Sequence, residues 1–424
     1  MLTRRGGILQ CSTAAETPAA CRDRLDRSGR LHRVTTIKAD VALIGGGIHG
    51  CSAALHLARR GYRVVQIEKD GIGQHASGVN AGGVRQLLRH PAEIPLSRAS
   101  MELWRHAREL VGDDCGFQEK GQVAVAETDE DLARLQARIE LLYALGHQHE
   151  ELLGPNELFD VLPALARWCA GGLICRSDGF VSPYQATLAF SRAAIESGAE
   201  LLTQTRAVGF SRKGGIWRVD TTAGTVEATF LVNCGGAWGG AVAAALGEPV
   251  PVEAIAPMLM VCARVPHFLD PVVIGTSRKL TFKQTMSGTV VIGGGHLGTA
   301  DAQRQETELD FMRLSASAQT VLDLFPVMRR ATVVRAWSGI EARMPDNLPV
   351  ISPSSTEDNA FHAFGFSAHG FQLGPIVGTL IADLVDTGRS SLPIDAFSIT
   401  RFNGEHAHPS EEAAGRERLD LITH

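Results

Sequence analysis

The feature that most constrains this chain is an apolar segment followed at once by three closely spaced glycines. Behind the glycines come ten residues rich in alanine and leucine, and then a second apolar segment that ends in an acidic residue. A buried strand, a tight turn, a helix packed on a sheet and a second parallel strand would produce this order. The parts are residues 40–44, the glycines Gly45, Gly47 and Gly50, residues 51–60, and residues 62–67 with Glu68.

Spaced glycines alone are weak evidence, but this context is the one that a dinucleotide-binding unit requires. Gly45 permits the tight turn, and Gly47 lets backbone N–H groups approach a pyrophosphate at the start of the helix. Gly50 allows the helix and the strand to pack closely. Glu68, at the end of the second strand, is placed to accept hydrogen bonds from ribose hydroxyl groups. The segment therefore predicts a site for FAD or NAD.

A second glycine run, Gly293, Gly295 and Gly298, has the same spacing. The residues that follow it, 299–308, are mostly polar and offer no apolar face that could pack on a sheet. We expect a strand that runs into a polar loop here, and no second nucleotide site.

Length and composition allow a large core and exclude several classes of protein. The chain has 424 residues, 44% of them hydrophobic, so two domains or one domain with a large insertion are expected. A net charge of −5 argues against a nucleic-acid partner. The eight cysteines show no Cys-x-x-Cys spacing, which argues against a metal site. No segment has the ~18 apolar residues of a membrane span, and a cytoplasmic protein is expected.

Hydrophobic periodicity predicts the elements between the motifs. Apolar residues at helical spacing predict helices at 100–112, 129–146, 185–197 and from Pro375 to Val385. Alternating patterns predict strands within 216–234, 257–264 and 280–293, as in an antiparallel sheet. Residues 1–36 show neither pattern, and we expect them to be a flexible extension or to precede the true start of the protein.

Four further segments resemble, in the same order, those of the D-amino-acid oxidase family of flavoproteins. This family includes sarcosine oxidase, glycine oxidase and the flavin subunits of opine and D-hydroxyproline dehydrogenases. The first segment runs from Glu68 through Ser77 and Asn80 to Gly83. The others are VNCGGAW at 232–238, WSGIEARMPDNLPVI at 337–351 and GFSAHGFQLGP at 365–375. With the dinucleotide unit, the resemblance extends over residues 40–386.

The resemblance implies an α/β fold with two domains. One is a Rossmann-like FAD-binding domain of the glutathione-reductase type, and the other is an α+β substrate domain with a mostly antiparallel sheet. We assign residues 37–90, 185–250 and 335–400 to the FAD-binding domain, residues 91–184 and 251–334 to the substrate domain, and residues 401–424 to a loose C-terminal tail.

The resemblance also implies which residues bind FAD. The helix near Pro375 follows a glycine-rich loop, so its N-terminus would face the flavin pyrimidine ring and stabilise negative charge there. Covalent flavin is not expected, because Gly339 and Pro183 stand where relatives carry the linking cysteine and histidine; noncovalent FMN at a subunit interface stays open. The expected FAD-binding residues are Gly45, Gly47, Ile48, His49, Gly50, Glu68, Lys69, Ser77, Asn80, Ala81, Gly82, Val208, Gly235, Trp238, Asp346, Gly365, Gly370, Phe371, Gln372 and Leu373.

The sequence identifies the residues that act on the substrate less directly than those that bind FAD. Glycine oxidase carries an arginine for the substrate carboxylate where this chain has Glu341, which could bind a cationic group or be a structural hydrogen-bond acceptor. We expect His369 to be a hydrogen-bond donor rather than a base. The candidate partners for a substrate carboxylate are Arg343, Arg85, Lys283 and Arg278. Lys283 or Lys279 could activate oxygen, as lysines do in oxidases of this family.

We therefore expect an FAD-dependent oxidoreductase that oxidises the C–N bond of an amino acid. A secondary amine such as sarcosine, an imino acid, iminodiacetate or an opine is favoured. Hydride transfer to flavin would give an imine that hydrolyses, and oxygen or an electron-acceptor subunit would take the electrons. The alternatives are an FAD-bearing subunit of a hetero-oligomeric dehydrogenase and an NAD(P)H-dependent flavin reductase or monooxygenase.

Overall fold

Two large β-sheets organise the part of the chain that a computed structural model describes, residues 23–25, 31–33 and 35–403. In the first sheet, Thr36–Ile44 lies between Val64–Ile67 and Gly224–Asn233, and these three strands run parallel. Ala360–Phe364 adds a further parallel strand beside Gly224–Asn233. The remaining strands of this sheet are Glu200–Leu202, Ala207–Lys213, Ile216–Thr221 and Val350–Pro353.

The second sheet is mostly antiparallel. Among the described residues, Val272–Gly275 and Gln122–Ala126 are its one parallel pair. Its other strands are Glu151–Leu153, Gly171–Cys175, Glu253–Cys262, Thr281–Gln284, Val290–Asp301, Glu306–Glu308, Val333–Ser338 and Glu341–Arg343. The predicted fold class, a Rossmann-like sheet combined with a mostly antiparallel sheet, is confirmed. Two short antiparallel pairs complete the strands: Gly83–Val84 with Gly179–Phe180, and Asp23–Leu25 with Leu31–Arg33.

Helices cover the sheets, and three of them lie close to the predicted ranges 129–146, 185–197 and 375–385. The predicted range 100–112 is divided between two helices, and the helix Phe311–Leu324 was not predicted. The described α-helices are α1 (Ile48–Arg59), α2 (Ala76–Val79), α3 (Ile94–Arg105), α4 (Ala107–Val111), α5 (Asp129–Ala144), α6 (Pro155–Val161), α7 (Pro183–Glu196), α8 (Gly239–Ala245), α9 (Phe311–Leu324) and α10 (Gly374–Thr387). Short 3-10 helices span Pro91–Glu93, Gly236–Trp238, Pro326–Arg330, Phe371–Leu373, Asp395–Phe397 and Ile399–Phe402. Within the described ranges, no helix is long and apolar enough to cross a membrane.

Helices α1 and α10 pack closely, because α10 has glycines where the side chains of α1 meet it. A Cβ atom added to Gly374 would lie 2.5 Å from Cγ1 of Ile48, and one added to Gly378 would lie 2.1 Å from Oγ of Ser52. The Ser52 hydroxyl also donates to the Pro375 carbonyl at 3.0 Å, although the two residues are 323 positions apart in the sequence. This close contact places the N-termini of the two helices side by side.

The second glycine run is part of a strand, as expected, but the polar residues after it form a turn at 302–305 between strand residues and not one continuous loop. Strand Val290–Asp301 continues through all three glycines and turns back into Glu306–Glu308. A Cβ atom at Gly293 would lie 2.9 Å from Cγ of Leu259, and one at Gly298 would lie 2.1 Å from the Glu308 carbonyl oxygen. These glycines therefore let neighbouring strands approach closely.

The predicted domain boundaries stay predictions, but several elements lie across them. Strand Val333–Ser338 pairs in the second sheet although residue 335 was the expected start of an FAD-binding segment. Helix α3, from the predicted substrate domain, packs on α10 through Trp104 in the core of the first sheet. The pair Asp23–Leu25 and Leu31–Arg33 lies in the predicted extension, whose other residues before 35 are outside the described part, as are residues 404–424 of the predicted tail.

Candidate active site

The glycine turn before α1 has room for backbone only. Gly45 has a φ of +111°, and a Cβ atom there would lie 2.2 Å from the Cys234 carbonyl oxygen. A Cβ atom at Gly50 would lie 2.2 Å from the carbonyl oxygen of Gly45. The Ile48 N–H donates to Oγ of Ser77 at 3.0 Å, so two of the expected FAD-binding residues contact each other. The tight turn and the close packing are therefore as expected for these glycines.

Glu68 lies at the end of its strand with a fixed carboxylate. It is 8% exposed, and its two oxygens accept hydrogen bonds from the N–H groups of Gly46, at 2.5 Å, and Asp70, at 2.7 Å. Each carboxylate oxygen has a further lone pair that could accept a hydrogen bond from a hydroxyl group. Glu68 is thus held rigidly in the place predicted for the ribose acceptor.

Lys69 and Trp238 join three distant segments next to Glu68. The Lys69 ammonium lies 3.8 Å from the centroid of the Trp238 ring and donates to Asp70 and, at 2.9 Å, to Gln305. The Trp238 indole N–H donates to the Ala302 carbonyl at 2.9 Å. The first sheet is thereby tied to the turn between strands Val290–Asp301 and Glu306–Glu308 of the second sheet.

The segment from Ser77 to Gly83 is fixed by its own asparagine and by the Trp-x-Gly segment. Nδ2 of Asn80 donates to the Ser77 carbonyl at 3.0 Å, and its Oδ1 accepts from the N–H of Gly82 at 2.7 Å, across Ala81. Trp337 donates to the Val79 carbonyl at 2.8 Å. A Cβ atom at Gly339 would lie 2.1 Å from Cγ2 of Val79, so a larger residue at position 339 does not fit without a shift.

The loop before α10 is held in an uncommon backbone conformation. Gly365, Ser367 and Ala368 have φ values of +76°, +51° and +68°. Glu341 stabilises this loop, because its Oε1 accepts the N–H of Ala368 at 2.8 Å. Burial raises the pKa of Glu341 to about 7. Glu341 is therefore an acid that bonds to the backbone of this loop.

His49 connects the two loops that precede α1 and α10. Its Nε2 lies 3.0 Å from the Gly370 carbonyl oxygen, so this nitrogen carries the hydrogen. The ring stacks on Phe366 with the two centroids 3.7 Å apart, and burial lowers the pKa of His49 to about 4. His49 is thus a neutral bridge between the two loops.

Both helix N-termini beside this bridge can receive an anion. The N-cap residues of α1 and α10, Gly47 and Leu373, provide no capping side chain, and neither helix has an acid in its first turn. The N-terminus of a helix carries partial positive charge and unpaired N–H groups. The uncapped helices, the glycine turn and the fixed Glu68 carboxylate fit the pyrophosphate, ribose and flavin of FAD, which the structure does not contain.

Lys283 is a buried cation. Its side chain is on strand Thr281–Gln284, the residue is 5% exposed, and Nζ lies 4.5 Å from the Phe180 ring centroid. No described residue forms a hydrogen bond or an ion pair with its ammonium group. Burial lowers the pKa of Lys283 to about 7. Strand Gly179–Phe180 pairs with Gly83–Val84, which places Lys283 beside the segment that Asn80 orders.

Two of the other cations considered for the substrate carboxylate already form ion pairs with acidic residues of the chain. Arg343 pairs with Glu253 at 2.6 Å, and Arg278 pairs with Glu127 at 2.6 Å and with Asp323 at 2.7 Å. Arg85 donates to the Leu87 carbonyl at 2.7 Å and has no ion pair among the described residues. Lys279 is exposed. The structure thus leaves Lys283 and Arg85 as candidate cations without a carboxylate.

Of the expected FAD-binding residues, Asp346 and Gln372 bond to other parts of the chain, and Val208 is exposed. Asp346 pairs with Arg401 at 2.7 Å, which also fixes the first residue of the predicted tail. Val208 is 61% exposed on strand Ala207–Lys213. Gln372 is buried, and its carbonyl accepts the Trp104 indole N–H at 2.8 Å. Of the other expected FAD-binding residues, Gly235 donates its N–H to Oδ1 of Asn233 at 3.1 Å, Phe371 stacks on Trp104, and Leu373 is buried.

A buried ionic cluster beside His369 was not predicted. Nη1 of Arg89 lies 2.7 Å from Nδ1 of His369, and Oε1 of Glu93 lies 3.2 Å from the same nitrogen. Arg89 and Glu93 are each 1% exposed. Their spacing of four residues just before α3 could have indicated an ion pair, but the partner His369 is 280 positions from Arg89.

Comparison with known proteins agrees with this geometry. The family model described as FAD dependent oxidoreductase matches residues 40–384. The chain is 30% identical over 379 residues to the glycine oxidase of Geobacillus kaustophilus, covering 87% of this chain and 99% of the relative. It is 24% identical to the sarcosine oxidase subunit beta of Rhodobacter capsulatus, covering 89% and 91%. The crystal structure of L-proline dehydrogenase from P. horikoshii superposes with a TM-score of 0.81 and 27% identity, covering 87% and 98%.

Proposed function

Because the chain belongs to the D-amino-acid oxidase family of FAD-dependent oxidoreductases, we propose that it oxidises the C–N bond of a secondary amino acid. Such substrates include sarcosine, cyclic imino acids, iminodiacetate and opines. FAD, when bound, accepts the hydride from the carbon next to nitrogen. The imine product hydrolyses to a carbonyl compound and an amine.

The strongest support for this proposal is the buried Lys283. A buried ammonium group without a counter-ion is costly, and a substrate carboxylate would supply the missing negative charge. Lys283 lies beside the Asn80 segment, which is expected to approach the flavin. In this role Lys283 binds and orients the substrate, and Arg85 is the second candidate cation. A role of Lys283 in oxygen activation is the alternative that this proposal competes with.

The two helix N-termini, the glycine turn and Glu68 also support noncovalent binding of FAD. The N-terminus of α1 and the glycine turn would hold the pyrophosphate, and Glu68 would accept the ribose hydroxyl groups. The N-terminus of α10 would stabilise negative charge on the pyrimidine ring. Gly339 leaves no space for a linking side chain, because Val79 occupies it.

A secondary amine is favoured over glycine for two reasons. Glu341 stands where glycine oxidase carries its carboxylate-binding arginine, and its carboxylate is engaged with the Ala368 N–H. Two of the similar proteins are named for secondary amines, namely the sarcosine oxidase subunit beta and L-proline dehydrogenase. Substrate recognition in this chain is therefore expected to differ from that of glycine oxidase.

The test is anaerobic flavin reduction by a panel of amino acids. The FAD-loaded protein would be mixed with primary, N-methyl, N-carboxymethyl, cyclic and opine amino acids, and loss of the flavin absorption would be followed. We expect secondary amines to reduce the flavin faster than glycine does. Fastest reduction by a primary amine would refute the substrate class, and no reduction by any amine would refute the proposed reaction.

A second candidate function is an FAD-bearing subunit that passes electrons to a partner chain. It is favoured by the similarity to a sarcosine oxidase subunit. If the isolated chain turns over substrate with oxygen and releases peroxide, a partner is not required for turnover. If it reduces only artificial acceptors, the partner function is supported instead. Cytoplasmic location stays a prediction from the sequence.

A further inference from the structure

Arg89, Glu93 and His369 form a buried cluster between the start of α3 and the loop before α10. Nη1 of Arg89 lies 2.7 Å from Nδ1 of His369. Oε1 of Glu93 lies 3.2 Å from Nδ1 and 3.7 Å from Nη1 of Arg89. His369 itself is part of the glycine-rich loop, so the cluster joins the candidate active site to the segment just before α3.

The chemistry of the three groups decides which ring nitrogen of His369 carries the hydrogen. A guanidinium group can only donate, so Nδ1 must accept from Arg89, and a neutral imidazole then has its hydrogen on Nε2. A carboxylate can only accept, so a bond to Glu93 would require a hydrogen on Nδ1. One nitrogen cannot do both. The shorter distance belongs to Arg89, and Oε1 of Glu93 has no hydrogen bond among the described residues.

The other nitrogens of Arg89 are also bonded, which fixes its guanidinium plane. Nε donates to the Arg85 carbonyl at 3.2 Å, and Nη2 contacts Oε1 of Gln372 at 3.4 Å. The charged groups that act on His369 are Arg85, Arg89 and Glu93, all from the segment before α3, and the uncharged Gln372 bonds to Arg89. Burial and the two arginines lower the pKa of His369, while Glu93 opposes them. No described residue forms a hydrogen bond with Nε2 of His369.

We propose that Arg89, with its charge balanced by Glu93, is a positioning residue that keeps His369 neutral and presents its Nε2–H as a hydrogen-bond donor in the active site. The chemical role of that donor rests on the proposed function. A histidine held in this way cannot accept a proton from the substrate amine, since Nδ1 is occupied and Nε2 already carries a hydrogen. The substrate amine therefore does not transfer its proton to His369.

The direct test is the protonation of the His369 ring in protein labelled with 15N-histidine, measured by NMR and assigned with His369→Gln. In the wild-type protein at neutral pH we expect Nδ1 without hydrogen and Nε2 with hydrogen. In Arg89→Met we expect a hydrogen on Nδ1, because Glu93 then becomes its partner. Arg89→Lys should restore the wild-type pattern in part, and Arg105→Met, on α3 with two acidic partners, is the matched control.

The proposal is overturned if wild-type His369 carries its hydrogen on Nδ1, or if Arg89→Met leaves the ring unchanged. The first result can be obtained even when the Arg89 variants do not fold, and neither depends on the reaction that the enzyme catalyses. A second readout is the pH profile of flavin reduction. In Arg89→Met we expect, beyond the ionisations of the wild-type profile, an additional one at about pH 6–8. An Arg89→Met profile identical to that of the wild type would also contradict the proposal.

Discussion

Replacing Lys283 with methionine is expected to stabilise the unliganded protein while it weakens substrate binding. Methionine has nearly the same length and keeps the contact with Phe180, but it removes the buried charge. Burial lowers the pKa of Lys283 from 10.5 to about 7. Since a tenfold change in acidity corresponds to about 1.4 kcal/mol, keeping the ammonium ion in this site costs about 5 kcal/mol. Lys283→Met should recover a large part of this free energy at pH 7.

The pH dependence of this effect has a definite sign. Between pH 7 and 10.5 the unfolded chain holds a proton on this lysine that the folded chain has released, so the free energy of unfolding of the wild type rises as the pH rises through this range. Burial therefore costs the full amount below pH 7, where both states are protonated, and this cost shrinks as the pH rises toward 10.5. The advantage of Lys283→Met should be largest at about pH 7 and below, and it should largely disappear near pH 10.

Urea denaturation of wild type and variant at several pH values measures this difference. Lys120→Met is the matched control, because Lys120 is exposed and pairs with Asp270. A carboxylate-containing substrate analogue should stabilise the wild type and the control but not Lys283→Met. Equal midpoints and equal pH dependence for wild type and Lys283→Met would refute the assignment of Lys283 as an unpaired buried cation.

Three further variants test the loops of the site. Gly339→Ala should destabilise the protein by about 1–3 kcal/mol, seen in its urea midpoint, because the new methyl group overlaps Val79; an unchanged midpoint would show that the loop yields. Glu68→Gln should weaken FAD binding about tenfold in a titration, because a charged acceptor is lost; unchanged affinity would argue against the ribose role. Glu341→Gln should be more stable than wild type above pH 7, because the raised pKa of Glu341 means that its ionisation disfavours the folded state; equal stability at pH 8 would contradict this.

The parts of the structure that depend on local pattern could be predicted from the sequence. Residues 40–44 and 51–60 were expected to be strand and helix, and they lie in Thr36–Ile44 and, apart from residue 60, in Ile48–Arg59. The helix expected from Pro375 to Val385 spans Gly374–Thr387. In each case the apolar spacing and the flanking glycines are read within one segment, so no knowledge of the rest of the fold is needed.

Contacts between distant segments could not be predicted in this way. His49 was expected only to bind FAD, yet it bonds to the Gly370 carbonyl 321 positions away. Glu341 was left between two roles, and only the position of the Ala368 N–H shows which partner it has. The glycines at 293–298 have the spacing of a nucleotide turn, which the polar residues after them argued against, but the close strand packing that requires these glycines is seen only once the pairing is known.

A single anaerobic turnover is the sharpest test of amine oxidation by this chain. The FAD-loaded protein would be mixed with an equimolar N-methyl or cyclic amino acid, and the flavin absorption and the products would be measured together. We predict that the flavin is reduced and that one equivalent of carbonyl compound or cyclic imine forms for each flavin reduced. Reduction of the flavin by NADPH in the absence of any amine, or no reduction by amino acids of any class, would contradict the proposed reaction.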